Sequence, residues 1–230
     1  MKIGGLQKLT LIDYPGKPAC TVFLAGCNLR CPWCHSPDLV AEQRVEKIKE
    51  IKREDFFNFL KKRREVLEGV VICGGEPTVN NKLPDFIRDI STLGYSVKLD
   101  TNGTNPEMLK KIIEEGLIDY VAMDVKAPLN RYEELFGFNI EADDLRRSIS
   151  LIKSLKNYEF RTTLVPGIHN QETLVKIMKE VEGSKNFYLQ NFRGKKTLSS
   201  NLEGGDGFSK KEMKEFKRIA KKYVKNCKIR

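Results

Sequence analysis

Six short apolar runs punctuate the chain, at residues 21–25, 70–73, 96–99, 120–123, 160–165 and 187–190. Most are apolar at consecutive positions, the pattern of parallel strands buried on both faces. Between them, apolar residues recur at helical spacing. Phe56, Phe59, Leu60 and Leu67 share one side of residues 55–67, and Leu145, Ile149, Ile152 and Leu155 one side of 144–155. Asn105-Pro106-Glu107 opens a helix with Asn at the cap and Pro in the first turn. Ser209-Lys210-Lys211-Glu212 is a capping-box pattern opening the last one. Strand and helix thus alternate about six times, which predicts right-handed βα units in an α/β fold. The period leaves a partial (β/α)6 TIM-type barrel and a doubly wound sheet both open. In either, ligands gather at the C-terminal ends of the strands. Residues 202–207, with three glycines, predict a flexible loop.

At 230 residues and 40% apolar content, the chain can bury one sizeable core, so a single domain over residues 1–230 is expected. No apolar run reaches the roughly 18 residues of a membrane span. Met1-Lys2-Ile3-Gly4-Gly5 lacks the apolar stretch of a signal peptide. A cytoplasmic protein with no membrane partner is the expectation. The net charge is +10. The lysines alternate with Glu, as in Lys47-Ile48-Lys49-Glu50, which reads as a solvated surface. Basic and aromatic residues do not interleave as in proteins that stack single-stranded bases, so nucleic acid is not the expected partner. Nor is there a Ser-His-Asp arrangement, a P-loop or a dinucleotide fingerprint.

The candidate chemistry begins with six cysteines. Cys20 and Cys73 lie in strand-like runs and read as small buried residues. Cys227, in a basic tail, reads as incidental. Cys27, Cys31 and Cys34 form a C-x3-C-x2-C triplet after the first strand. In a chain neither small nor visibly secreted, such a triplet reads as a metal site rather than a disulfide framework. Three thiolates can hold three irons of a cubic 4Fe–4S cluster, which normally takes four, leaving one iron open. A structural Cys3His zinc site with His35 is the alternative. Gly26, Asn28 and Pro32 place the triplet in a loop rather than a helix.

Every other unusual segment also follows a strand. The second ends in Gly74-Gly75-Glu76-Pro77, where two glycines allow close backbone approach and Glu76 offers a carboxylate suited to an ammonium group. The third ends in Asp100-Thr101-Asn102-Gly103, which could equally be an ordinary turn. The fourth ends in Asp124-Val125-Lys126, whose acid and base share one face and could be a buried ion pair. The fifth carries Arg161 and Thr163 before Val165-Pro166-Gly167, and the sixth ends in Gln190-Asn191-Phe192-Arg193. His169, after the Pro-Gly turn, reads as a helix-cap neighbour or surface residue rather than a catalyst.

Taken in order, C-x3-C-x-aromatic-C, GGEP, Asp-Thr-Asn-Gly and Asp-x-Lys on successive βα units resemble the radical S-adenosylmethionine enzymes. Within them the chain is most similar to activating enzymes of glycyl-radical enzymes. Its opening Leu6-Gln7-Lys8-Leu9-Thr10-Leu11-Ile12-Asp13-Tyr14-Pro15-Gly16-Lys17 and its Tyr188-Leu189-Gln190-Asn191-Phe192-Arg193 resemble the activators of anaerobic ribonucleoside-triphosphate reductase. The resemblance implies a partial (β/α)6 barrel. It implies a 4Fe–4S cluster on Cys27, Cys31 and Cys34 whose open iron chelates S-adenosylmethionine, with flavodoxin or ferredoxin as electron donor. The backbone at Trp33 would lie near the adenine. Gly74, Gly75 and Glu76 would receive the methionine ammonium, and Lys126 would neutralise the carboxylate. Asp100, Thr101 and Asp124 match residues that hold a monovalent cation in pyruvate formate-lyase activators. Arg161 and Thr163 match positions near the ribose and adenine. A histidine that follows the sixth strand in those activators has no clear counterpart here, where Asn191 or Phe192 stands nearby.

The implied activity is reductive cleavage of S-adenosylmethionine to a 5′-deoxyadenosyl radical and hydrogen abstraction from a glycine of a partner enzyme. A small-molecule radical enzyme similar to 7-carboxy-7-deazaguanine synthase is the alternative, and a zinc or electron-carrier module a third reading.

Overall fold

The computed structural model describes residues 1–137 and 140–230. Its strands are β1 (Ile3–Thr10), β2 (Ala19–Leu24), β3 (Gly69–Gly74), β4 (Ser96–Thr101), β5 (Tyr120–Asp124), β6 (Tyr158–Leu164), β7 (Asn186–Asn191) and β8 (Asn226–Ile229). The helices are α1 (Glu42–Lys47), α2 (Arg53–Lys62), α3 (Leu83–Thr92), α4 (Pro106–Glu114), α5 (Tyr132–Phe136), α6 (Ala142–Lys153), α7 (Gln171–Glu180) and α8 (Lys210–Ala220). Among the described residues, no helix is long and apolar enough to cross a membrane. Contacts group the chain into two compact units: Met1–Asn28, Asp38–Thr101 and Glu107–Val121, and then Leu29–Pro37, Asn102–Pro106 and Ala122–Arg230.

In the first unit the strands follow chain order, β1 to β4. β2 and β3 pair in parallel from Ala19 opposite Gly69 to Leu24 opposite Gly74, and β3 and β4 from Gly69 opposite Ser96 to Ile72 opposite Leu99. Val22, Leu24, Val70, Val71, Ile72, Val97 and Leu99 are fully buried, as consecutive apolar runs require. α3 buries Leu83, Phe86, Ile87 and Ile90, and α2 buries Phe56 and Leu60.

In the second unit β6, β7 and β8 also follow chain order, all parallel. α6 buries Leu145, Ile149 and Ile152. α8 begins at the expected capping box: Ser209 Oγ accepts from Glu212 N–H, and Glu212 reaches back to Ser209 N–H. One of the boundaries between the units, Val121 to Ala122, falls inside β5, whose Val121, Ala122 and Met123 are fully buried.

All six predicted strands are present, and two more lie outside the apolar runs. β1 pairs antiparallel with β2; its sequence, IGGLQKLT, carries only scattered apolar residues. β8 is four residues long and pairs Phe187 with Cys227. That corrects the reading of Cys227, which is buried rather than incidental. Cys20 is fully buried as expected, whereas Cys73 is only partly so. The glycine-rich residues 202–207 are tied down: Gly194 N–H donates to Gly205 O and Gly204 N–H to Gly194 O at 2.7 Å.

Candidate active site

β2 runs directly into the cysteine loop. Gly26 turns the chain with φ near +99°, and residues 25–36 contain no helix, as Gly26, Asn28 and Pro32 predict. Within the first unit the loop entrance is fastened to the end of β3. Gly75 N–H donates to Leu24 O and Glu76 N–H to Gly26 O, both at 2.8 Å. A Cβ on Gly75 would stand 2.0 Å from Gly26 O, and one on Gly74 2.3 Å from Leu24 O, with Gly74 at φ +122°. The protein's own strand ends thus account for both glycines.

Glu76 is 1% exposed. Its Oε1 accepts from Thr78 N–H at 3.1 Å, Thr78 Oγ1 at 2.6 Å and Thr101 Oγ1 at 2.7 Å. The carboxylate caps the short turn Pro77–Val79 and reaches across to the end of β4. Asp100 forms an ion pair with Lys98, a buried ammonium that also faces the Tyr120 ring. The first unit thereby brings together Gly74, Gly75, Glu76 and Thr101, and gives Asp100 a cation of its own.

The second unit builds a charge chain. Asp124, ending β5, receives Arg161 of β6 in a forked contact, Nε to Oδ1 at 2.9 Å and Nη2 to Oδ2 at 3.2 Å. Lys126 Nζ lies 3.5 Å from Asp124 Oδ2. Burial pushes the Asp124 carboxyl up, but Arg161 and then Lys126 overcome it and hold the group well below the usual carboxylate range. Burial likewise opposes the Lys126 ammonium, yet Asp124, followed by Cys31, holds its pKa above the ordinary lysine value. Arg161 Nη1 also lies 3.9 Å from Glu159 Oε1. Fully buried Glu159 accepts both Arg230 terminal nitrogens, at 2.7 and 3.1 Å. Arg230 in turn lies 3.5 Å over the Tyr188 ring. Asp-x-Lys is therefore the ion pair that its spacing allowed, with Arg161 as its main partner. Thr163 Oγ1 reaches Gln190 Oε1 at 3.4 Å.

Trp33, 5% exposed, packs edge-on against Phe136 at 5.4 Å and His169 at 5.7 Å. His35 stacks on Phe192 at 5.9 Å, and burial lowers its pKa. Asn191 is spent on the backbone of Phe208, donating to its O at 2.7 Å and accepting from its N–H at 2.9 Å. His169 does precede a helix cap, Asn170 of α7, but at 3% exposure it is no surface residue. Its burial follows from the contacts of its two ring nitrogens with Val165 and Lys126, which no local pattern marks.

Among the described residues, no three His, Cys, Asp or Glu side chains stand grouped as a metal cage. The donor chemistry nevertheless fits an iron–sulfur cluster. Three thiols lie within residues 27–34 with no carboxylate, hydroxyl or imidazole among them. Cys34 N–H donates to Cys31 O at 3.0 Å, and negative charge on either sulfur favours the Lys126 ammonium.

Each unit is built of parallel βα units with polar and charged side chains at its strand ends, as in α/β enzymes. Residues 21–181 match the radical SAM superfamily, and the chain belongs to it. A candidate glycyl-radical enzyme activating enzyme of Methanocaldococcus jannaschii is 34% identical over 99% of this chain and 95% of its own length. The 7-carboxy-7-deazaguanine synthase of Aquifex aeolicus is 38% identical, over 39% of this chain and 38% of its own. The S-adenosylmethionine-bound structure of Streptococcus suis SuiB superposes with a TM-score of 0.63 at 12% identity, covering 91% of this chain and 51% of SuiB. The fold is thus the partial TIM-type barrel of the radical SAM enzymes rather than a doubly wound sheet. Membership makes the chain an enzyme of radical-generating redox chemistry and implies a 4Fe–4S cluster and S-adenosylmethionine.

Proposed function

We propose that the chain reductively cleaves S-adenosylmethionine and places a glycyl radical on a partner enzyme, with anaerobic ribonucleoside-triphosphate reductase as that partner. The observation that carries this reading is the full-length likeness to the Methanocaldococcus jannaschii activating enzyme. The opening segment 6–17 and residues 188–193 point to the reductase activators.

In this reading Cys27, Cys31 and Cys34 hold the cluster as thiolates. A cluster held there and reduced by flavodoxin or ferredoxin would supply the one electron that cleaves the sulfonium to methionine and a 5′-deoxyadenosyl radical, and that radical would take a hydrogen atom from a glycine Cα of the partner. Glu76, with Gly74 and Gly75, receives the substrate ammonium. Lys126 receives the carboxylate, its own charge secured by Asp124. The main chain at Trp33 lies along the adenine, and Arg161 and Thr163 serve the nucleoside side. Asp100, Thr101 and Asp124 are the candidates for a monovalent cation, although Lys98 and Arg161 already supply charge to the two carboxylates. Glu76 and Thr101 are buried and the other charges only partly exposed; exclusion of water would shield a radical from side reactions.

The test is anaerobic. Iron-reconstituted, reduced protein is mixed with S-adenosylmethionine and the reductase from the same organism. A glycyl doublet in the electron paramagnetic resonance spectrum supports the reading; cleavage without a doublet on any glycyl-radical enzyme of that organism overturns it. A second reading, a small-molecule radical enzyme, is favoured by the partial likeness to 7-carboxy-7-deazaguanine synthase. Formation of a 7-carboxy-7-deazaguanine-type product without a protein partner would select it. Zinc in place of iron and sulfide, by elemental analysis of anaerobically purified protein, would exclude both.

A further inference from the structure

Lys126 is held by its peptide as well as by its charge. Its backbone N–H donates to the Tyr132 hydroxyl at 2.8 Å. Its carbonyl oxygen lies 2.9 Å from His169 Nε2. The other His169 nitrogen, Nδ1, lies 3.0 Å from Val165 N. A backbone N–H can only donate, so Nδ1 must accept and the proton must sit on Nε2. His169 is therefore a neutral Nε2–H imidazole that donates to Lys126 O while accepting from Val165. It ties the turn after β5 to the turn after β6.

The rings on either side extend this contact. Tyr132 is fully buried and packs edge-on against Phe136 at 4.9 Å. Phe136 packs on Trp33, whose indole also meets the His169 ring. Trp33 lies between Cys31 and Cys34. Four aromatic rings thus join the cysteine loop to the peptide of Lys126, and the two polar ring groups grip that peptide at both ends.

We infer that His169 and Tyr132 are positioning residues, a two-sided clamp that fixes the Lys126 main chain relative to Trp33 so that the ammonium is presented in one orientation. The inference rests on the reading of Lys126 as the receiver of the S-adenosylmethionine carboxylate. The clamp touches none of the reacting atoms. It acts by removing the alternative backbone positions from which a lysine side chain would point elsewhere, and each such alternative dilutes the competent state and weakens the apparent affinity.

Two substitutions divide the two hydrogen bonds of His169. In His169→Gln the side-chain amide reaches the place of Nε2 and can donate to Lys126 O, while Val165 loses its acceptor. In His169→Asn the amide oxygen lies at the place of Nδ1 and can serve Val165, but Lys126 O is abandoned. The affinity of the anaerobically reconstituted protein for S-adenosylmethionine is measured for both, beside Tyr132→Phe and Lys126→Ala, with thermal unfolding of each. His169→Asn and Tyr132→Phe should each bind about tenfold more weakly, the worth of one lost hydrogen bond in a buried site. His169→Gln should stay within about twofold to threefold of the parent, though both histidine variants unfold earlier. Equal loss in the Gln and Asn variants, or lower unfolding temperatures with unchanged affinity in both, would overturn the clamp. Unchanged binding by Lys126→Ala would instead remove the reading on which the clamp rests. Weak binding by Lys126→Ala with normal binding by His169→Asn and Tyr132→Phe would remove the clamp alone. Should His169→Asn fail to fold, Tyr132→Phe decides, since it loses only the hydroxyl oxygen that accepts from Lys126 N–H.

Discussion

Glu76 serves the fold and, in the proposed function, the substrate, and its two roles can be separated. The structural one needs an acceptor oxygen for Thr78 and Thr101; the proposed substrate role needs a negative charge. Glu76→Gln keeps an acceptor and loses the charge. We expect an unfolding midpoint within about 1 kcal/mol of the parent, but at least about tenfold weaker S-adenosylmethionine binding, measured by urea titration and equilibrium dialysis. Gly75 is the opposite case, since nothing about it concerns charge. Its replacement by Ala sets a methyl group 2.0 Å from Gly26 O, and the entrance of the cysteine loop must shift. A loss of at least about 2 kcal/mol is expected in urea unfolding, accompanied by lower iron occupancy after reconstitution. A Gly75→Ala protein that unfolds and loads iron like the parent would show that the close approach is not needed.

β8 illustrates how a short element can matter more than its length suggests. Its four residues bring Cys227 into the core and are followed by Arg230, which neutralises Glu159 on β6. A fully buried carboxylate deprived of its partner is costly, whereas removing the charge from both sides is mild. Arg230→Ala should therefore destabilise the protein by about 3 kcal/mol, and adding Glu159→Gln should recover most of that loss. Equal stability of the single and double variants in urea melts would mean that Arg161 alone compensates Glu159. β1 and β8 were not legible because, among the described strands, each pairs with a single other strand. An edge strand need not be apolar at consecutive positions. β2 to β5 were legible for the complementary reason, carrying consecutive buried residues on both faces, whereas β6 and β7 were legible from their apolar residues despite partly exposed positions.

Titration integrates these local effects across the chain. Burial lowers the His169 pKa below its ordinary value of 6.5, so folding favours the neutral ring. Unfolding then takes up a proton as the pH falls below about 6.5, and stability falls with it. Asp124, held below the usual carboxylate range, adds a second loss once the pH drops below about 4, where the unfolded carboxyl protonates while the folded one does not. Urea midpoints should accordingly be flat from pH 8 to about 7 and decline in two stages below that. In His169→Gln the first stage should shrink. An unchanged first stage in that variant would assign it to another group.

The order of βα units, the loop character of the cysteine triplet, the capping box of α8 and the identity of the charged residues at each strand end were legible from residue type and spacing, because burial, proline geometry and cap chemistry act over a few neighbouring positions. Partners were not. The spacing of Asp124 and Lys126 allowed an ion pair, but Arg161 lies 37 residues away in the chain, and Arg230 lies 71 from Glu159. The same holds for His169, an unremarkable loop residue until folding sets its two nitrogens between Val165 N–H and Lys126 O. A side chain's neighbours across a sheet depend on register and loop path, which the local pattern of apolar and polar residues does not encode.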